Sequence, residues 1–159
     1  MKFSTQEEYG LRCLLRIGKA NVNGLTIPQI SQLEGLSAAN VAKILRVLRI
    51  GGFIESARGN VGGYKLSKVP EEIIVSEVLA ALGGRLFEAG FCDDHKGAPQ
   101  ICTNSIDCSI RSLWKTVQNL LDGVLSKMTL KDLLGSEEDT HTIASNLTDE
   151  TSKNFFIVN

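Results

Sequence analysis

Residues 26–67 read TIPQISQLEGLSAANVAKILRVLRIGGFIESARGNVGGYKLS, and their punctuation decides the fold. Thr26-Ile-Pro-Gln29 is a capping box, with Pro28 tolerated in the first turn because its missing amide has no helical partner there. The short helix it opens ends at Gly35. Ser37 caps the next helix, in which Val41, Ile44, Leu45 and Leu48 recur at helical spacing and leave Asn40, Lys43, Arg46 and Arg49 for other directions. Gly51-Gly52 stops it. Two short helices joined by Glu34-Gly35-Leu36 have the length and glycine placement of a helix-turn-helix. Phe53–Ser56 and Tyr64–Ser67 then read as two strands around a glycine-rich turn, Arg58-Gly-Asn-Val-Gly-Gly63. A phosphate-cradling loop would need Gly-Lys-Ser/Thr at its end and a helix after it, whereas Tyr64 onward is a strand. Helix, turn, helix, hairpin is a winged helix, so the expected fold is mainly α with a small β-hairpin wing.

Working outward, Thr5-Gln-Glu-Glu8 predicts the cap of a first helix whose Leu11, Leu14, Leu15 and Gly18 mark one face, with Cys13 as a small core residue. On the other side, Pro70 predicts a fourth helix through Ile73, Ile74, Val78, Leu79 and Leu82 to a stop at Gly83-Gly84. A polar loop leads to a long helix from about Ser105 to Lys127. Its apolar positions Ile110, Leu113, Val117, Leu120 and Val124 alternate steps of three and four, as a coiled-coil seam does, which predicts a homodimer; the other reading of the stripe is packing against its own domain. Thr129-Leu-Lys-Asp132 caps one last short helix. From Gly135 the sequence is polar and acidic without period, the pattern of a flexible tail, with Phe155-Phe156-Ile157-Val158 as an apolar end. The expected organisation is therefore a winged helix-turn-helix at 1–82, a cysteine-containing loop at 83–104, a dimerisation helix and short terminal helix at 105–134, and a tail at 135–159.

The 159 residues, 43% hydrophobic and 22% charged, suffice for one small domain with an appendage. The net charge of −1 hides a split at Pro70: ten Lys/Arg face four Glu before it, a balance of +6, and seven face fourteen acidic residues after it, a balance of −7. The basic half suits a polyanion such as double-stranded DNA, though electrostatics alone would also admit an acidic protein. No apolar run approaches a membrane span and the amino end lacks a secretory pattern, so a cytoplasmic protein without a membrane partner is expected. An enzyme finds no support: paired carboxylates, a Ser/His/Asp set and a nucleotide-binding pattern are all missing, and only two His occur.

In a cytoplasmic chain, cysteines are reduced thiols or metal ligands. Cys92, Cys102 and Cys108 fall within 17 residues between the fourth helix and the long one. Thiolates are the usual ligands of iron-sulfur clusters, and three leave one position to fill. His95 is nearest in sequence, and Cys92, His95, Cys102 and Cys108 would also complete a tetrahedral zinc site.

The run Glu8-Tyr-Gly-Leu-Arg12, the helix-turn-helix, Arg58-Gly-Asn-Val-Gly-Gly-Tyr64-Lys-Leu, Pro70-Glu-Glu-Ile73, the loop cysteines and Cys108-Ser-Ile-Arg-Ser-Leu-Trp114 resemble the bacterial Rrf-type winged-helix regulators, the family of IscR, NsrR and RirA. The resemblance covers residues 1–134. It implies a dimeric transcription factor, commonly a repressor, whose loop cysteines hold a 2Fe-2S or 4Fe-4S cluster that reports iron, redox stress or nitric oxide. It also implies that the third helix enters the major groove through Ser37, Ala39, Asn40 and Lys43, and that Arg58 and Gly59 lie in the wing along the minor groove. Two departures stand out. Nine residues separate Cys92 from Cys102 where the family commonly has five, and the position three after the last cysteine, a His ligand in IscR-like members, is Arg111, whose guanidinium is no iron ligand. Glu8 occupies the place of the acidic ligand that NsrR-like members supply from the opposite protomer; its other role is the helix cap. The alternative function is a zinc-stabilised or cofactor-free winged-helix protein acting through protein contacts.

Overall fold

The structure, a computed structural model, describes residues 4–20, 24–57, 62–96, 102 and 104–157. The winged helix is built as its punctuation dictates. Helix α1 (Thr5–Lys19) packs across α2 (Ile27–Glu34) and α3 (Ala38–Ile50), and strands β1 (Ile54–Ala57) and β2 (Gly63–Leu66) pair antiparallel with Ile54 opposite Leu66 and Glu55 opposite Lys65. Thr26 and Gln29 form the reciprocal cap of α2, and Gly35 ends it at φ 66°, a left-handed conformation that glycine adopts without a Cβ clash. The Ser37 side chain accepts from the Asn40 amide to start α3. Leu25 exchanges two backbone hydrogen bonds with Tyr64, at 3.0 and 2.8 Å, tying the root of the wing to the chain before α2.

Apolar residues at helical spacing face one another inside. Cys13, Leu14 and Ile17 of α1 meet Ile30 of α2 and Val41, Ile44, Leu45 and Leu48 of α3, closed off by Phe53, Ile54, Ile73, Val78 and Leu82. Gly10 lets α1 approach the helix that ends at Leu82: a Cβ there would collide with the Leu82 side chain.

Four expectations are corrected. The cap of α1 is Ser4 with Glu7, one residue earlier than Thr5 with Glu8; the Ser4 amide donates to Glu7 Oε2 at 2.6 Å. Position 7 shares the inward face with Gly10, Leu14 and Ile17, so Glu7 is buried and Glu8 points outward. The fourth helix, α4 (Val75–Leu82), starts five residues after Pro70, which instead begins a single 3₁₀ turn. Ile73 and Ile74 stay extended because they pair with the chain at 128–130: Leu130 N donates to Ile73 O at 2.8 Å and Val75 N to Met128 O at 2.9 Å. A four-residue helix, α5 (Phe91–Asp94), precedes the long helix α6 (Ser109–Leu125), which opens at Cys108 rather than near Ser105.

The fourth correction is the tail. After α7 (Leu130–Leu134), capped by Thr129 and Asp132, residues Glu137–Ile157 form helix α8 instead of a flexible segment. Ser136 and Asp139 hold its start, with the Ser136 hydroxyl donating to Asp139 Oδ2 at 2.6 Å. Ala144 and Leu147 pack on a second cluster of Val75, Leu79 and Met128, joined by Val124 and Leu125 of α6. The Thr151 hydroxyl donates to the Gly123 carbonyl at 3.0 Å, and Lys127 pairs with Glu150 at 2.9 Å. Among the described residues no helix is long and apolar enough to cross a membrane.

Candidate functional site

Helix α3 divides cleanly. Val41, Ile44, Leu45 and Leu48 are buried, so Ser37, Ala39, Asn40, Lys43 and Arg46 stand on the opposite, exposed side. This is the side a major groove would meet, since an α-helix fits that groove and Asn and Lys can reach base edges. Lys43, Arg46 and Arg49 form no ion pair among the described residues. Beside them, Thr5, Gln6 and Tyr9 of α1 line a shallow groove of about 100 Å³ with Asn40 and Lys43. That adjacency is tertiary and has no local signal in the sequence. Arg58 and Gly59, the expected wing residues, lie outside the described residues.

The basic excess of the first half is not all available to a polyanion. Arg12 Nε donates to Glu34 Oε2 and Arg12 Nη2 to the Glu34 carbonyl, both at 2.7 Å, while Arg16 Nε holds the other carboxylate oxygen. Burial works to raise the Glu34 carboxyl, but the hydrogen bonds and charges of Arg16 and Arg12 outweigh it and hold it below the usual carboxylate range. The triad fixes the end of α2, and with it the turn into α3, against α1. Lys65 is likewise paired with Glu55 at 3.0 Å.

Cys92 lies in α5, Cys102 in the stretch before α6, and Cys108 at the α6 N-cap, where its Sγ accepts from the Arg111 amide at 3.3 Å. All three are free and partly exposed. Cys13 is fully buried, and burial, with the nearby Glu34 charge, pushes its thiol up to about 11. In donor type the loop set therefore fits an iron-sulfur cluster, since it offers three unpaired thiols reachable from outside. Arg111 is engaged elsewhere, with Nη1 donating to the Ser105 carbonyl at 3.1 Å. His95 stacks on Phe91 at 4.2 Å and places Nδ1 2.7 Å from the Phe91 carbonyl. Glu8 is exposed on α1 and freed from the cap. Among the described residues of a single chain, no three His, Cys, Asp or Glu side chains converge on a metal-sized point.

The stripe on α6 is open to solvent over much of its length: Ile110 is 59% exposed, Leu113 55% and Leu120 38%, with Trp114 beside them at 36%. The row leaves a contiguous apolar surface exposed on one helix. Val124, the last position of the stripe, is instead packed against the cluster under α8.

Residues 3–136 match the Rrf2 family, described as an iron-dependent transcriptional regulator. Protein rrf2 of Nitratidesulfovibrio vulgaris (Hildenborough) is 34% identical over 136 residues, 84% of this chain and 87% of that protein. The transcriptional regulator CymR of Bacillus subtilis is 29% identical over 134 residues, covering 84% and 89% of the two chains. Among solved structures, CymR of B. subtilis, the global cysteine regulator of that organism, superposes with a TM-score of 0.65 at 26% identity over 84% of this chain and 96% of that one. T. potens IscR gives 0.64 at 28% identity over 84% and 86%.

Proposed function

This chain belongs to the Rrf2 family of transcriptional regulators, and from that premise we propose that it is a cytoplasmic, homodimeric, operator-binding repressor whose loop cysteines hold an iron-sulfur cluster. The observation that carries the DNA reading is the outward face of α3, where Asn40 and Lys43 are exposed on a helix whose other side is buried. Two such helices, paired through the Ile110, Leu113 and Leu120 row, would address half-sites about one helical turn or a multiple apart. Arg58 in the wing would follow the neighbouring minor groove, where a guanidinium suits a narrow, negative channel.

The cluster reading is supported by the free state and accessibility of Cys92, Cys102 and Cys108 and by the release of Glu8 from the cap. These three thiols would hold the cluster, with Glu8 of a partner copy as the exchangeable oxygen donor and His95 as its competitor. A bound cluster supplies a redox- and nitric-oxide-sensitive centre. Arg111 and the α6 N-terminus would hold the segment around Cys108 in register with the dimer helix.

Anaerobic purification followed by a visible spectrum with iron, sulfide and zinc analysis tests the cofactor. Iron and sulfide should be present in the wild type and lost in Cys92→Ala, Cys102→Ala and Cys108→Ala, while Cys13→Ala keeps them. One zinc per chain, without iron or sulfide after reconstitution, replaces the cluster reading with the zinc site through His95.

A further inference from the structure

We propose that a cavity where α1, α4 and α6 meet the start of the cysteine loop binds a small organic cation, a primary ammonium on a compact apolar body. The cavity holds about 180 Å³. An apolar cavity of roughly 150 Å³ admits a benzene-sized molecule, which sets the scale of the occupant. Leu79 of α4 and Leu121 and Leu125 of α6 supply apolar wall.

Glu7 sets the charge of the ligand. Its side chain lines the cavity in a residue only 7% exposed, and the Ser4 amide takes one carboxylate oxygen at 2.6 Å. The described residues give it neither a donor for the second oxygen nor an ion pair. No buried side-chain oxygen among the described residues lacks a partner, so the second oxygen is open to the cavity, and a cation entering there would meet a negative charge that no described side chain pairs. The other charged groups at the cavity, and Gln118, are already engaged. Arg85 pairs with Asp122 at 2.7 Å, and Gln118, 5% exposed, accepts from the Leu86 amide at 2.7 Å and donates to Asp122 at 2.9 Å. A neutral donor could hydrogen-bond the second oxygen but would leave the charge unpaired; an ammonium supplies both the donor and the charge. The occupant would also join the start of α1 to the chain leading into the cysteines, because Gly84 already lies against the Glu7 side chain.

Binding is read on the free full-length protein, so it stands or falls separately from the DNA and cluster readings. Isothermal titration with benzylammonium should show saturable binding of one molecule per chain, and benzyl alcohol, its neutral counterpart in shape, should bind about tenfold more weakly or worse. Glu7→Gln should weaken benzylammonium by about tenfold or more while retaining an acceptor for the Ser4 amide. Ser76→Phe, which fills the cavity from α4 without touching the cap, should abolish binding. If Glu7→Gln does not fold by circular dichroism, Ser76→Phe decides alone. Affinity weaker than about 10 mM, equal affinity for the two probes, or binding unchanged in the folded variants would overturn the proposal.

Discussion

A buried thiol and three accessible ones give this chain four cysteines with two different chemistries. Cys13 sits in the core with its thiol held up at about 11, so at neutral pH it has neither access nor thiolate character. Native protein without cofactor should therefore be alkylated by iodoacetamide at Cys92, Cys102 and Cys108 and not at Cys13, as peptide mass mapping would show; early labelling of Cys13 would contradict the core placement. The Glu34 carboxylate has a depressed folded value, so its stabilisation is complete above the unfolded value near pH 4.3 and is lost as pH falls through the folded one. Glu34→Gln should cost about 1–2 kcal/mol in urea unfolding at pH 7, less than a fully buried pair because both arginines reach water, and the gap to wild type should narrow as pH falls below the unfolded value and close once pH is below the depressed folded one. A gap that persists at low pH would show that the loss is one of packing. Sequence spacing could identify Cys13 as a core residue, but it could not choose between two overlapping caps one residue apart. Burial of the Glu7 face made that choice, and it removes a confounding effect from Glu8→Ala, which should leave helix content unchanged.

At the scale of elements, the winged helix was legible because its signals are local. Thr26 with Gln29, Gly35, Ser37 and Gly51-Gly52 each fix a boundary through their own backbone chemistry, and the structure keeps every one of them. What was not legible depends on distant partners. Ile73 and Ile74 leave the helix that Pro70 suggests because residues 128–130 offer them a ladder. Helix α8 has little apolar periodicity of its own and is held by Ala144, Leu147 and Thr151 against α4 and α6. Leu147→Ala, removing a half-buried side chain from that contact, should lower stability by about 1–2 kcal/mol, whereas a free tail would show no change in thermal or urea unfolding. The α6 row makes a separate demand. Leu113→Asp places a charge in the exposed stripe and should convert a dimer to a monomer in light scattering at micromolar concentration, with the emission of Trp114, the one tryptophan, shifting to the red. A wild-type monomer would remove the role assigned to the row.

For the whole molecule, the division of labour follows from charge and placement. The basic first half keeps Lys43, Arg46 and Arg49 exposed on the α3 side with no ion pair among the described residues, although Arg12, Arg16 and Lys65 are engaged within the fold, so the surface available to DNA is narrower than the +6 balance suggests. Affinity should fall steeply with salt, and Lys43→Ala should cost about 1–3 kcal/mol and flatten sequence preference if Lys43 reads a base edge, or weaken all sequences alike if it meets a phosphate. The candidate site was legible in the sequence to different depths. The exposed face of α3 follows from helical spacing, its DNA-reading role only from the family resemblance, and the cysteine loop is marked by residue type alone. The most direct measurement is selection of bound sites from a random duplex pool by the full-length protein. The account expects enrichment of a two-fold symmetric site with half-sites one helical turn or a multiple apart, lost or blurred in Lys43→Ala. Recovery of no motif, or of a lone half-site that Lys43→Ala selects equally well, would contradict it.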